Sequence, residues 1–208
     1  MVETICNKLT HRIRTKMPEI DDERAEVINY GLQLVIGEIP KTFIIIAIAW
    51  ILGVLDLTIL AVVLMTPYRV VSGGVHLKTH IGCIVATSLF YIGNAVLSKY
   101  IILERTIKYA VTGVLWIFAM IMIKLYAPAD TEAVPILRKK ERKMKKILSY
   151  IIMTISLIIS LIIKNTILSN ILLFGTLFQT IAITRFMYKI TNNKYGYEEY
   201  YKNNSCTL

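Results

Sequence analysis

"FIIIAIAWILGVLDLTILAVVLMT", residues 43–66, is the stretch whose reading decides the fold. It is one membrane crossing or two shorter helices, and the choice sets the side of the membrane on which the N-terminus lies. As one span it would bury Asp56 near its middle, where a carboxylate costs at least about 2.5 kcal/mol. Gly53 and Asp56 suit a tight turn instead, so the spacing predicts one helix over about 27–53 and a short second one over about 57–71. Pro40 then kinks the first helix or starts its deeper half. The shallower half, "EVINYGLQLVIGEIP" (26–40), places Glu26, Asn29, Gln33 and Gly37 on one stripe. That is an amphipathic N-terminal segment, suited to the membrane interface or to a partner.

Downstream, "IGCIVATSLFYIGNAVL" (81–97), "IKYAVTGVLWIFAMIMI" (107–123), "ILSYIIMTISLIISLII" (147–163) and "ILSNILLFGTLFQTIAIT" (167–184) are each long enough for a span of roughly 17–25 residues. They predict helices over about 79–98, 107–125, 145–163 and 167–189. The fold class expected is therefore all-α: a polytopic integral membrane bundle of about six helices, forming one domain over 1–208. Composition agrees, with 55% hydrophobic residues gathered into runs and a mean hydropathy of +0.58. No signal peptide is expected, because a charged segment precedes the first apolar run near Phe43.

The net charge of +10 first invites a nucleic-acid reading. The cations, however, flank hydrophobic runs, which fits membrane topology and no nucleic-acid partner. With six helices, the segments 1–26, 69–78, 124–146 and 185–208 share one side and hold 19 of the 24 Lys and Arg. The other side holds 4, and Lys41 is the remaining one. Five spans would give 14 against 9. The six-helix reading places both termini in the cytoplasm by the positive-inside rule. The run "LRKKERKMKK" (137–146) is the main cytoplasmic anchor. It suits anionic lipid, and Arg138, Lys139 and Lys140 are also candidates to hold an acidic peptide. The tail "TNNKYGYEEYYKNNSCTL" (191–208) reads as exposed and partly disordered.

The chemistry gathers in "RVVSGGVHLKTHIGC" (69–83). Cys6, Cys83 and Cys206 are too scattered for a disulfide framework, so Cys83 is of interest as a thiol. A nucleophilic thiolate needs a base or a positive field. A helix beginning near Lys78 provides the field, and two histidines compete as the base. His80 lies three residues from Cys83, on the same helical face. His76 lies seven away, about 10.5 Å along a continuous helix, and serves only if the chain folds back. "SGG" at 72–74 permits that, since glycine adopts backbone angles other residues avoid. Amides of the glycine loop or of the first helical turn are candidate oxyanion donors. Local geometry slightly favours His80. Two histidines and one cysteine lack the further ligand that most zinc sites use, so no metal is expected.

Arg69, Ser72-Gly73-Gly74-Val75-His76 and Cys83, with the His-x6-Cys spacing, resemble the accessory gene regulator protein B (AgrB) family. "YAPADTEAVPI" (126–136) is similar to that family's second motif, and the resemblance spans nearly the whole chain. It implies a bacterial multi-pass cell-membrane cysteine endopeptidase, its active site at the cytoplasmic side. Such an enzyme removes the C-terminal tail of an AgrD-like propeptide. The acyl-enzyme thioester is then captured within the peptide to give a cyclic thiolactone or lactone, the precursor of a quorum-sensing signal. The resemblance implies Cys83 as nucleophile and His76, not His80, as base, with no cofactor and a homodimer. Asp130, in the second motif, is a candidate to orient His76. Arg69 is read either as a substrate contact or as a lipid anchor. Gly73 and Gly74 are read more readily as a hinge than as binding groups. The rival readings are a membrane transporter, for which Asn94, Gln179 and Asp56 are the buried polar candidates, and a non-enzymatic membrane partner of a signal peptide.

Overall fold

The computed structural model describes residues 2–77, 79–132 and 134–205, and is helical throughout apart from short connections. The His80 side chain and Cys206, both singled out above, lie outside the described residues. The chain divides into two units, 1–51 and 52–208.

The first unit is a helical hairpin of α1 (Val2–Lys16) and α2 (Asp22–Ile51). Asp21 receives the Arg24 amide at 2.8 Å and so opens α2 earlier than the expected start near 27. Cys6, Ile20 and Ala25 fill the seam. Asn29 of the amphipathic stripe donates to Asn7 of α1 at 2.8 Å, so part of that polar stripe is spent inside the hairpin. Pro40 lies within α2 without ending it.

The second unit begins with the turn the sequence requires. Gly53 has φ +63°, and α3 (Leu55–Ser72) starts beyond it with Asp56 exposed in its first turn. A carboxylate there complements the helix dipole. Next come α4 (His80–Tyr100), α5 (Arg105–Tyr126), α6 (Lys139–Ile162) and α7 (Thr166–Ala182). The expected 167–189 helix is broken: Thr184 accepts the Met187 amide and starts a separate α8 (Arg185–Ile190). A final α9 (Gly196–Ser205) orders the tail that reads as exposed.

α7 is the axle of this unit, packing against α3, α4, α5 and α6. Its polar residues explain how a helix buried on so many sides is held. Asn170 donates to the Ile101 carbonyl at 2.7 Å, and Asn94 of α4 donates to the Ile171 carbonyl at 3.1 Å. Ser169 donates to the Ser160 carbonyl of α6. In an apolar medium such bonds fix helix rotation, and small residues such as Gly175 let neighbours approach. Met65 fills the space over Gly175.

The outward surface is the reverse. In α3, α4, α5 and α6, only 22–28% of the apolar window is buried within the protein. Ile59, Val63, Val114, Ile117 and Ile158 all face out. Surface this apolar, on four helices long enough to span, is covered by lipid. The chain is an all-α membrane protein.

The orientation expected from the charges is open to a direct measurement. Cys6 is fully buried, so its silence toward a reagent reports packing rather than sidedness. Cysteines placed at Ile102 in the α4–α5 link and at Lys140 in α6, both exposed, are expected to separate. An impermeant maleimide on intact cells should label Ile102→Cys and spare Lys140→Cys until the membrane is opened. The opposite pattern inverts the topology.

Candidate active site at the ends of α3 and α4

α3 ends because Gly73 and Gly74 take φ +74° and +140°, angles that side chains resist. The chain is irregular over 74–77, and the Thr79 hydroxyl accepts the Gly82 amide at 3.1 Å and caps α4. His76 therefore lies before the helix and Cys83 in its first turn, where the Cys83 amide reaches the Thr79 carbonyl at 2.9 Å. The two are not on one continuous helix, which was the condition for His76 to approach Cys83.

The irregular stretch is held by backbone. Ala129 donates to the Ser72 carbonyl and accepts the Gly74 amide, both at 2.8 Å, in a parallel bridge. Val75 donates to the Ala182 carbonyl at 3.3 Å. A Cβ at Gly73 would overlap the Ala129 carbonyl. Gly73 also donates to the Arg69 carbonyl at 3.0 Å, so the glycine-loop amides considered above as oxyanion donors are used within the protein. Gln179 of α7 adds a side-chain clamp, its amide donating to Ser72 Oγ at 2.8 Å and to the Gly73 carbonyl at 2.6 Å.

His76, Cys83 and Arg69 line one cavity of about 260 Å³. Its other walls are mainly apolar, with Leu77, Phe90, Phe178, Ile181 and Met187 among them. Whole-ligand pockets usually span roughly 300–1,000 Å³, so this space suits one or two side chains of a larger substrate. Arg69 is half-buried. It donates to Gln179 and to the Val75 carbonyl, each at 3.4 Å, and sits 5.5 Å from the Phe90 ring centre. These contacts face it toward the loop and cavity.

Asp130 is not among the residues lining that cavity. Its carboxylate is buried, and Oδ2 accepts from Arg142 at 3.0 Å, from the Ile136 amide at 2.9 Å and from the Tyr197 amide at 3.0 Å. Tyr188 donates to its carbonyl at 3.0 Å and stacks on Tyr195 at 4.0 Å between ring centres. Burial, then Tyr195 and Asp130 nearby, push the Tyr188 phenol far above its ordinary range, so it stays a neutral donor. Removing Arg142 would strand a buried carboxylate, a loss of roughly 3–5 kcal/mol. Arg138, Lys139 and Lys140 are exposed at the start of α6.

Sequence reasoning missed the loop-holding roles of Gln179, Arg142 and Tyr188. A glutamine inside the apolar 167–184 run was the available signal for the first. Nothing in "LRKKERKMKK" set Arg142 apart.

The chain matches the profile of the family described as accessory gene regulator B over residues 6–183. It is 28% identical over 182 residues to an AgrB-like protein of Listeria monocytogenes serovar 1/2a, covering 86% of this chain and 87% of the relative. An AgrB-like protein of Listeria innocua is 30% identical over 185 residues, with the same coverage. One from Clostridium acetobutylicum is 30% identical over 117 residues, covering 56% of this chain and 54% of the relative. No solved structure matches.

The close pass at Gly73 yields a stability test. Gly73→Ala should lower the thermal midpoint in detergent, since both the backbone angle and the space refuse a Cβ. Gly93→Ala, in α4 with open space around it, should be neutral or gain up to about 1 kcal/mol. Equal effects at the two positions would remove Gly73 from the loop's support.

Proposed function

This chain belongs to the accessory gene regulator B (AgrB) family, which acts in quorum-sensing peptide processing, and from that premise we propose that it is a membrane cysteine endopeptidase and cyclase. Its substrate is an AgrD-like propeptide, whose C-terminal tail it removes at the cytoplasmic face. The observation that carries the reading is the shared cavity of His76 and Cys83, reached because the glycine break takes His76 off the α4 helix.

The chemistry follows. His76 takes the Cys83 thiol proton as Sγ attacks the scissile carbonyl. The tetrahedral intermediate collapses, the C–N bond breaks, and His76 returns the proton to the departing amine. The tail leaves, and the N-terminal fragment remains as a Cys83 thioester. A thiol or hydroxyl within that fragment then loses its proton to His76 and attacks the thioester carbonyl. The C–S bond to Cys83 breaks, His76 returns that proton to Sγ, and the cyclic thiolactone or lactone leaves the regenerated thiol.

Two features favour capture over hydrolysis. The tethered nucleophile has a high effective concentration, and once peptide side chains fill the cavity its apolar walls at Phe90, Phe178 and Ile181 offer competing water few partners. No metal or organic cofactor enters the scheme. Arg69, at the cavity wall, donates to a backbone carbonyl of the bound peptide.

The basic start of α6 supports the choice of substrate. Arg138, Lys139 and Lys140 stand at a helix N-terminus, where the dipole disfavours cations. Their local cost is offset by an acidic partner, either the propeptide tail or anionic lipid.

Cleavage of the propeptide in liposomes is the test. His76→Ala and Cys83→Ala should abolish tail release while the proteins insert normally. Cys83→Ser should retain little or none, and His80→Ala should keep substantial activity. Wild type should yield a hydroxylamine-labile adduct between Cys83 and the N-terminal fragment. Full cyclisation by Cys83→Ala would overturn the mechanism, and loss with His80→Ala alone would move the base to His80.

A further inference from the structure

The His76 backbone lies in an irregular stretch, so its position is inherited from its neighbours. The Ser72–Gly74 backbone is bonded to Ala129 on both sides of Gly73. Ala129 is itself in an irregular segment, between α5 and α6. What fixes Ala129 therefore fixes the approach to His76.

The residues on either side of Ala129 are gripped by one side chain. Arg142 donates through Nη2 to the Pro128 carbonyl at 3.4 Å and through Nη1 to Asp130 Oδ2 at 3.0 Å. Nη1 also reaches the Ile136 carbonyl at 3.4 Å. The guanidinium lies 4.3 Å from the Tyr197 ring centre, so α9 closes over it. This is a fork with fixed donor directions, which a lysine ammonium cannot reproduce. Arg142 thus differs in kind from the exposed Arg138, Lys139 and Lys140 of the same run.

We propose that Arg142 and Asp130 are positioning residues for the His76–Cys83 reaction, acting through Ala129 on the Ser72–Gly74 backbone and so on His76. The proposal rests on the peptidase reading above. It assigns Asp130 a role through the backbone rather than through the imidazole. It also gives the 126–136 motif and the C-terminal helix one task, the holding of a loop that carries the base.

The test uses full-length protein in liposomes, with Cys6→Ser and Cys206→Ser leaving Cys83 as the remaining thiol. Propeptide cleavage is measured for Arg142→Lys, Asp130→Asn and the pair, alongside Cys83 alkylation by iodoacetamide at pH 7 and pH 9. Positioning predicts that kcat falls about tenfold or more with KM within about twofold, and that the double variant is no worse than the worse single. Alkylation at pH 7, which draws on His76, should slow in parallel while that at pH 9 holds. Lys140→Gln should show the opposite split, a raised KM at unchanged kcat.

If Asp130→Asn fails to insert, Tyr197→Ala trims the ring over Arg142 while leaving the ion pair, and should give a smaller fall in kcat. Unchanged kcat and pH 7 alkylation in Arg142→Lys or Tyr197→Ala overturns the proposal, as does a change in KM alone. His76→Ala separates the two failures. If it leaves cleavage and pH 7 alkylation intact, the peptidase reading falls; if it abolishes cleavage and slows pH 7 alkylation while the Arg142 and Asp130 variants act normally, only the positioning role falls.

Discussion

The bonded pass of the Ser72–Gly74 backbone against Ala129 is the constraint on which the candidate site depends. Two irregular segments meet there, each at the end of an apolar helix, and Ser72 and Ala129 are buried. Their peptide groups need partners within the protein. The parallel bridge supplies some, Gln179 supplies another, and the α7 end supplies a third through Ala182. The missing Cβ at Gly73 allows this approach. A side chain there would push the segments apart, and the loop carrying His76 would lose its reference point.

That constraint explains which parts of the structure could be read from sequence. The turn at Gly53 and Asp56 was legible because one local conflict, a carboxylate inside an apolar run, has a cheap resolution. The glycine break before His76 was legible because adjacent glycines take backbone angles that other residues avoid. The broken end of α7 was not, since Ile183 and Thr184 continue the apolar pattern and the interruption comes from Thr184 capping α8. Nor was the order of the tail. Tyr195 is held by stacking on Tyr188 and by its hydroxyl bond to the Ile183 carbonyl at 2.8 Å. Gly196 fits closely over Thr131. These are tertiary contacts, one of them reaching back to Thr131, and composition carries no trace of them.

Asp130 shows the limit most clearly. A carboxylate in a motif beside a histidine-bearing loop invites a triad reading. Its Oδ2 accepts from Arg142 and two backbone amides. A buried carboxylate so engaged defines a shape, because its three donors come from the loop, α6 and the start of α9. The basic run read as uniform in sequence, yet one of its arginines points inward while the exposed cations remain for anionic lipid or peptide.

Three polar residues bear on the rival reading of transport. A path for a peptide through the bundle would need polar groups facing a cavity at membrane depth. Asn94 donates to the Ile171 carbonyl, and Gln179 holds Ser72 and Gly73. Asp56 sits exposed in the first turn of α3. Each polar residue that made transport conceivable in the sequence is committed to the scaffold or lies at its edge. The chemistry-bearing pair, by contrast, shares a cavity where α3 ends and α4 begins. A site at a helix end needs no passage through the bundle. On the peptidase reading proposed above, it needs only a substrate that lies along the interface, as an amphipathic segment does.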